Sequence, residues 1–325
     1  MLSKHQSCKA FVISVAALSL AACGGSDDEP NVADTATFTL AISDAPVDEA
    51  DAVIACFSAI ELVGNGDGQQ TFVIGESDNT LASNDVCKDS DGETIPNTYG
   101  VDLMSYTGSD ALDLVAGVEV AAGTYGQLRL VMSEGSYVQV GEQQIPLQVP
   151  SNELKFDSIT LDAGGNAAYT VEFDLRQALV NPVGQDVYFL KPRGVRLVNN
   201  LEVGHVEGSI AEALLIENSC SVAPSDTTEP VAAVYLYEGS DLEITALADV
   251  GGAETHQPYA VAAVYFDNVS AYTFSVGYVA AGDYSAAWTC QTDDDPEADD
   301  DITFQGIVDV SVSGDETVTT VDISG

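Results

Sequence analysis

The sequence predicts an all-β protein with two tandem β-sandwich domains. Short runs of β-branched and aromatic residues recur along its 325 residues, and Gly, Asn and Asp separate them. No long stretch repeats its apolar residues at the helical period. Many short strands with turn residues between them are typical of sandwiches, whereas a regular alternation of helices and strands would indicate a parallel sheet.

The N-terminal segment predicts export and attachment to a membrane. Residues 1–22 contain two lysines and then an apolar run that is too short to span a bilayer. The run ends in LAAC, which resembles the lipobox of bacterial lipoproteins. This resemblance implies that Cys23 is acylated, with the lipid bilayer as its partner, and that Gly24, in place of Asp, directs the protein to the outer membrane. Residues 23–34 are rich in Gly and acids and predict a flexible tether.

The charge of the chain restricts its partners and suggests where its domains divide. It has 9 Lys and Arg against 52 Asp and Glu, for a formal net charge of −43. Such a surface repels phosphates and therefore excludes nucleic acid as a partner. Residues 197–325 contain no Lys or Arg. This change in composition predicts one domain over residues 35–200 and a second over residues 201–325.

Strand patterns run in order through the first domain. Residues 37–43 alternate apolar with small residues, and residues 167–175 alternate apolar with polar residues. Residues 52–64 are apolar on both faces, which predicts a central strand covered on each side. Residues 75–98 have no such pattern and predict a long polar loop.

The second domain shows the same kind of pattern. Its predicted strands lie at residues 231–238, 272–279, 304–314 and 317–324. Each is a short run of β-branched or aromatic residues next to turn residues, as in the first domain.

Four cysteines remain after Cys23: Cys56, Cys87, Cys220 and Cys290. An even number in an exported chain argues for disulfides, and four cysteines allow three connectivities. Pairing within each domain gives Cys56–Cys87 and Cys220–Cys290.

The first domain resembles a bacterial family catalogued as domain of unknown function 4382, found in exported lipoproteins. The motifs that carry the resemblance occur in order: SDAP (43–46), YGVDLMSY (99–106), VAAGTYGQLRLVM (120–132), LQVPS (147–151), VEFDLRQALV (171–180) and YFLKP (188–192). The resemblance covers residues 36–198 and implies a β-sandwich without a known activity. The loop that contains Cys87 departs from the pattern as an insertion.

The second domain is similar to transthyretin-like and carboxypeptidase-regulatory-like modules. The similarity rests on GHVEGSI, VYLYEG and YTFSVGYVAAGDYSAAW. It implies a β-sandwich that some carbohydrate-binding modules share, so an envelope or extracellular polysaccharide is a candidate partner. The aromatic residues that could stack on sugars are Tyr235, Tyr237, Tyr259, Tyr265, Tyr272, Tyr278 and Trp288. Core packing is the commoner use of such residues.

The densest acidic cluster lies at residues 292–303 and suggests a calcium site. Its carboxylates are Asp293, Asp294, Asp295, Glu297, Asp299, Asp300 and Asp301. Calcium takes six to eight hard oxygen ligands, but the spacing does not match an EF-hand, and a solvated acidic loop is the alternative. Residues 88–93, KDSDGE, form a weaker second candidate. Calcium is the one cofactor that the sequence suggests.

Catalytic motifs are missing from the sequence. It has no G-x-S-x-G, no H-E-x-x-H and no Gly-rich phosphate loop. We therefore expect a binding or structural module and assign no catalytic or ligand-binding residue. The alternative is an exported, glycosidase-like hydrolase that uses a pair of carboxylates.

Three aspartates are the candidates for that alternative: Asp44, Asp102 and Asp174. A turn explains Asp44 more simply, and pairing with arginine explains the other two. The basic segment at residues 191–196, KPRGVR, could instead receive an anion.

One phrase occurs twice, as VAAGTY at residues 120–125 and VAAGDY at residues 279–284. Each copy leads through Gly into a Tyr at the start of a strand. The phrase resembles the tyrosine corner of sandwich domains, used once per domain. In the first copy Tyr125 is out of phase with the apolar residues that follow, and Gly126 would permit a bulge that restores the phase.

Overall fold

The computed structural model describes residues 35–45, 50–64 and 68–324. The predicted signal segment, Cys23 and the tether lie outside these ranges. The described residues form strands with only a few short helical turns, which confirms the all-β prediction. None of the helices in the described ranges has the length and apolar character needed to cross a membrane.

Strands β1 to β14 belong to the first half of the structure. In chain order they are β1 (Thr35–Ala45), β2 (Ala52–Gly64), β3 (Gln69–Val73), β4 (Tyr99–Asp102), β5 (Leu112–Ala121), β6 (Gly123–Met132), β7 (Tyr137–Val140), β8 (Gln143–Gln148), β9 (Glu153–Phe156), β10 (Ile159–Leu161), β11 (Asn166–Asp174), β12 (Leu179–Val180), β13 (Tyr188–Leu190) and β14 (Val195–Asn199). A short helix, α1 (Leu175–Ala178), follows β11, and a 3-10 turn (Leu103–Ser105) follows β4.

Strands β15 to β21 belong to the second half. They are β15 (Val203–Ile210), β16 (Ala232–Glu238), β17 (Ala260–Phe266), β18 (Tyr272–Ala280), β19 (Gly282–Thr289), β20 (Gly306–Val312) and β21 (Thr317–Ile323). A second short helix, α2 (Glu212–Glu217), follows β15, and 3-10 turns span Asn200–Glu202 and Ile244–Ala246.

The first half is a sandwich of two sheets. One has the order β14-β11-β1-β5, with β1 parallel to β11 and antiparallel to β5. The other has the order β10-β6-β2-β7-β8-β13-β12, with β3 and β4 also on β2, and β9 on β6. Phe38, Phe57 and Phe173 are fully buried in the core. Strand β2 therefore is the central, doubly covered strand that its apolar sequence predicts.

Strand β11 departs from the usual behaviour of an alternating strand. Such a strand commonly packs its apolar side on the core and exposes its polar side. Here Thr170, Glu172 and Asp174 are all 0% exposed. The second half covers this side of the strand, since Asp174 accepts a hydrogen bond from Val261 of β17.

The second half is one seven-stranded sheet of order β20-β19-β16-β17-β18-β15-β21. Strand β15 is parallel to β21, and the other neighbours are antiparallel. The edge strands β20 and β21 contact each other, so the sheet folds around its own core, which includes Trp288. No strand pairs across the boundary between Asn199 and Val203 in the described chain, yet the two halves pack as one compact unit.

Both predicted disulfides are present. Cys56 and Cys87 are bonded with their Cα atoms 6.0 Å apart, and Cys220 and Cys290 are bonded at 5.1 Å. The first bond fixes the strand-poor segment between β3 and β4 to the central strand β2. The second fixes the segment after α2 to the end of β19.

The repeated phrase forms a tyrosine corner in each half. The Tyr125 hydroxyl donates to the Ala121 carbonyl at 2.8 Å, and the Tyr284 hydroxyl donates to the Ala280 carbonyl at the same distance. The β2–β6 register passes from Val63–Gln127 to Gly64–Tyr125 and so leaves Gly126 unpaired, which confirms the predicted bulge.

Candidate functional site

A cleft of about 390 Å³ lies where the two halves meet. Arg176 and Tyr188 line it from the first half, and Tyr235, Val250 and Asp294 line it from the second. The acidic segment 292–301 forms one of its walls. The cleft therefore combines the densest negative charge of the chain with a buried arginine.

The acidic segment turns only some of its carboxylates inward. It follows β19 without forming a strand, and Asp294 and Asp300 are half-buried in it. The remaining acids of the predicted calcium set are exposed: Asp293, Asp295, Glu297, Asp299 and Asp301. The seven carboxylates therefore do not converge on a single point.

Asp249 is the carboxylate that sequence reasoning missed. It lies just after the 3-10 turn Ile244–Ala246, is only 3% exposed, and accepts a hydrogen bond from the Asp300 N–H through Oδ2. A side chain at Gly252 would overlap Asp249 Oδ1, so glycine is needed there for the carboxylate to fold back. The only local signal is an acid within the apolar run LADV, directly before two glycines.

Asp294 is held from two sides. Its Oδ2 accepts the Tyr235 hydroxyl at 2.6 Å and the Val250 N–H at 3.1 Å. Burial raises the pKa of Asp294 above its ordinary value, and these hydrogen bonds oppose the rise. Burial, together with the charge of Asp294, also raises the pKa of Tyr235, so this hydroxyl stays protonated and acts as a donor.

The carboxylates around Asp249 can reach one common point. An oxygen from each of Asp249, Asp294 and Asp300 lies within 4.8 Å of the others, and Asp249, Glu254 and Asp299 form a second such group. Asp249 Oδ1 and Asp294 Oδ1 are buried without a hydrogen-bond partner in the described part of the chain. Oxygen ligands at this spacing suit a hard divalent cation.

The second calcium candidate is explained by hydrogen bonds of its own turn. Asp89 Oδ1 accepts the N–H groups of Asp91 and Glu93, each at 2.9 Å. Lys88 donates to the Thr94 hydroxyl at 2.6 Å across the same turn. The carboxylate at Asp89 therefore closes the turn.

The basic segment 191–196 faces the second half of the protein. Lys191 and Arg193 each lie 4.0 Å from Glu297 Oε1, and Arg193 also donates to the Pro296 carbonyl. Arg196 donates to the Tyr259 carbonyl at 3.0 Å, and its guanidinium lies 4.6 Å from the centre of the Tyr259 ring. The predicted anion-binding segment thus contacts the acidic segment of the same chain.

The aspartates considered for catalysis have structural contacts. Asp102 accepts the N–H groups of Val53 and Met104, both at 3.2 Å. Asp174 caps α1 and accepts the Gln177 side chain at 2.7 Å. Asp44 is fully buried at the end of β1, and residues 46–49 of its predicted turn lie outside the described ranges.

Most of the aromatic residues considered for sugar stacking lie in the core. Five of the seven are at most 3% exposed: Tyr235, Tyr237, Tyr272, Tyr278 and Trp288. Tyr259 and Tyr265 are half-buried. In this conformation the five buried rings present no face to a sugar.

Comparison with known proteins gives a family match over most of the first half. Residues 35–192 match the family model described as "Domain of unknown function (DUF4382)". No curated protein matches the chain in sequence.

Two solved structures are similar to the chain at low TM-scores. The Streptococcal ancillary pilin is 13% identical with a TM-score of 0.20, over 89% of this chain and 62% of the pilin. The chain thus spans less than two thirds of that pilin. A proposed adhesin from Bacteroides ovatus ATCC 8483 is 8% identical with a TM-score of 0.21, over 92% of this chain and 94% of the other. At these TM-scores the similarity does not extend to function.

Proposed function

We propose that residues 35–192, a domain of the unknown-function family DUF4382, and the sheet that follows them act as one non-catalytic structural and binding module at the bacterial cell envelope. A lipid on Cys23 holds this module at the outer membrane. The observation that carries the proposal is the charged, buried contact between the two halves.

Four of the seven basic residues between positions 35 and 325 contact the second half, which has none of its own. They are Arg176, which donates to the Thr292 carbonyl at 3.3 Å, and Lys191, Arg193 and Arg196. Exposed ion pairs contribute little, but Arg176 and Arg196 are removed from solvent in this contact. Four of these seven basic residues thus help to join the two halves.

The contact also contains a close approach of two backbone segments and a hydrogen bond between the halves. A methyl group on Gly277 of β18 would overlap the carbonyl oxygen of Gly108. The Tyr278 hydroxyl donates to the Ser109 carbonyl at 3.2 Å. A module with such a contact transmits position and force as one body, because neither half can rotate without breaking buried hydrogen bonds.

A non-catalytic role is supported by where the buried acids lie. A catalytic carboxylate must reach a substrate. Glu172 and Asp174 are 0% exposed, and Asp174 is committed to Gln177 and Val261. These contacts favour a structural module over the hydrolase that the sequence leaves as an alternative.

Export is supported by the two disulfides. Disulfides form and persist in oxidising compartments and are rare in the reducing cytosol. Together with the signal-like segment, they support a proposed site of action outside the inner membrane. The lipid on Cys23 then provides the attachment, because several acyl chains on one residue give a lasting anchor.

The anchor is tested by metabolic labelling with radioactive palmitate in a bacterial host, followed by fractionation of the membranes. We expect the wild-type chain and Cys8→Ala, the matched control, to take up label and to be found with the outer membrane. Cys23→Ala should take up none. Equal labelling of Cys23→Ala and wild type would refute the anchor.

A further inference from the structure

Asp294, which lines the cleft, and Asp249, next to the lining residue Val250, each have a buried carboxylate oxygen without a hydrogen bond to any described residue. Asp249 is 3% exposed, and its Oδ1 has no hydrogen-bond partner among the residues that the structure describes; the same holds for Oδ1 of Asp294. A buried charged oxygen without a partner costs more free energy than almost any other polar group. Such oxygens are found where a ligand completes the site.

The carboxylates of Asp249 and Asp294 lie close together. A carboxylate oxygen from each of Asp249, Asp294 and Asp300 lies within 4.8 Å of the other two. Calcium binds oxygen at 2.3–2.6 Å, so two of its ligands can be up to about 5 Å apart. This spacing is compatible with one ion bound between the three carboxylates.

Hydrogen bonds fix the other oxygen of each carboxylate. Asp249 Oδ2 accepts the Asp300 N–H, and Asp300 Oδ2 accepts the Asp295 N–H at 2.7 Å. Asp294 Oδ2 accepts Tyr235 and Val250. Outer partners of this kind orient ligands and are needed for affinity. Each side chain is thus held through its Oδ2.

We propose that Asp249, Asp294 and Asp300 bind a calcium ion that joins the acidic segment 292–301 to the segment 247–254. The ligands are all hard oxygens, which differ from the Cys and His ligands of structural zinc sites and suit calcium. Glu254 and Asp299 share a second convergent group with Asp249 and supply further oxygens. Water completes the six to eight ligands.

The ion also acts on the contact between the halves. Segment 292–301 contains Thr292, Pro296 and Glu297, which contact Arg176, Arg193 and Lys191. Fixing this segment on Asp249 holds those partners in place. The inference goes beyond the proposed function and can fail separately from it, because palmitate labelling reports on Cys23 and cation binding reports on Asp249.

The test is a titration of the full chain, purified in mild detergent, with Tb³⁺ excited through tyrosine. Tyr235 donates to Asp294, so an ion in the site lies close to a tyrosine ring and gives sensitised emission. We expect saturable emission that Ca²⁺ displaces, with an affinity on the order of 0.1–1 mM, the range of extracellular calcium modules. Mg²⁺ should compete poorly because it demands a smaller octahedral shell.

Variants assign the ligands. Asp249→Asn and Asp294→Asn should weaken Ca²⁺ displacement by at least about tenfold, the loss that even outer partners of a metal site cause. Asp301→Asn is the matched control, since it removes an exposed carboxylate from the same segment. Near-UV circular dichroism shows whether the Asp249 variant folds. If it does not, Asp300→Asn, at a half-buried position, serves as a second ligand variant.

The midpoint of thermal unfolding gives an independent readout. Calcium should raise it for wild type and Asp301→Asn relative to EDTA, and should leave Asp249→Asn unchanged, because an ion that binds only the folded state stabilises that state. The proposal is overturned if wild type shows no Ca²⁺-displaceable emission at about 10 mM Ca²⁺, ten times the weak end of that range. It is also overturned if Asp301→Asn loses as much Ca²⁺ affinity as Asp249→Asn does.

Discussion

At the scale of single residues, Glu172 and Asp174 show how buried charge joins the two halves. Both are fully buried on the side of β11 that faces β17 and β18, and Arg196 attracts both. Removing one partner of a buried pair leaves the other charge uncompensated. The side chains that an exposed strand would turn to water are therefore the ones that β11 uses for contact with the second half.

The burial of Glu172 predicts how the stability of the protein depends on pH. Burial raises its pKa from 4.5 to about 8, although Arg196 opposes the rise. Between these pH values the folded protein holds a proton that the unfolded chain releases. The stability that this bound proton contributes is complete below the pKa of Glu172 in the unfolded chain. It is lost as the pH rises through the pKa of Glu172 in the folded protein, with a slope of up to about 1.4 kcal/mol per pH unit.

Glu172→Gln removes this titration. We expect the free energy of unfolding of the variant, measured by urea denaturation, to increase relative to that of wild type as the pH rises from about 5 to about 8. Glu119→Gln on β5 is the control, because Glu119 is exposed in the same sheet. Parallel pH curves for wild type and Glu172→Gln would show that Glu172 does not titrate in this window.

At the scale of elements, the tyrosine corner fixes how one strand leads into the next. In the second half it joins β18 to β19, and the Tyr259 ring packs edge-on against Tyr284 at 5.2 Å. The Tyr259 hydroxyl in turn accepts the Ala280 N–H at 3.1 Å. The corner therefore satisfies both backbone polar groups of Ala280 beside the turn.

Tyr284→Phe tests the corner. Loss of the hydroxyl leaves the Ala280 carbonyl without this donor, and we expect a loss of about 1–2 kcal/mol in the free energy of unfolding. Tyr137→Phe is the control, since Tyr137 is half-buried and its hydroxyl makes no hydrogen bond to any described residue. Equal stability of the two variants in guanidinium denaturation would rule out an energetic role for the corner.

At the scale of the whole molecule, the two halves behave as one body. Gly277 lies close against the Gly108 carbonyl, at a β-bulge where the β15–β18 register passes from Gly204–Val279 to Val206–Val276. The bulge directs Tyr278 toward Ser109. Bulges bend a strand and redirect its side chains, and here the redirected side chain reaches the other half.

Gly277→Ala should separate the halves. The added methyl group overlaps a backbone carbonyl, so strand β18 must move, at a cost of about 1–3 kcal/mol. We expect one cooperative calorimetric transition for wild type and two for the variant. Gly282→Ala is the control, because a side chain at Gly282 meets only ordinary contacts. A single transition in Gly277→Ala at the wild-type temperature would contradict a tight contact.

Much of the fold could be predicted because it depends on local patterns. Alternating residues locate β1, β11 and β18, and the doubly apolar run locates the central β2. Pairing of the cysteines follows from the division of the chain. The bulge at Gly126 follows from the phase difference between Tyr125 and the apolar residues after it.

The candidate site could be predicted only in part. The acidic density at residues 292–301 pointed to the right segment, but periodicity did not show which carboxylates turn inward. Asp249 lies more than forty residues earlier and stands as a single acid in an apolar run. Nothing local connects it to Asp294 and Asp300.

The sequence by itself determined the all-β class, several of the strands, the tyrosine corners and the disulfides, because side-chain alternation and turn residues act over short distances and four cysteines allow only three pairings. Only the tertiary structure decided that the polar side of β11 is buried and that Asp249 meets the acidic segment. Alternation shows that a strand has two different faces, but not what covers each face. Where carboxylates from distant segments converge depends on how the loops pack, and this is set by the whole structure.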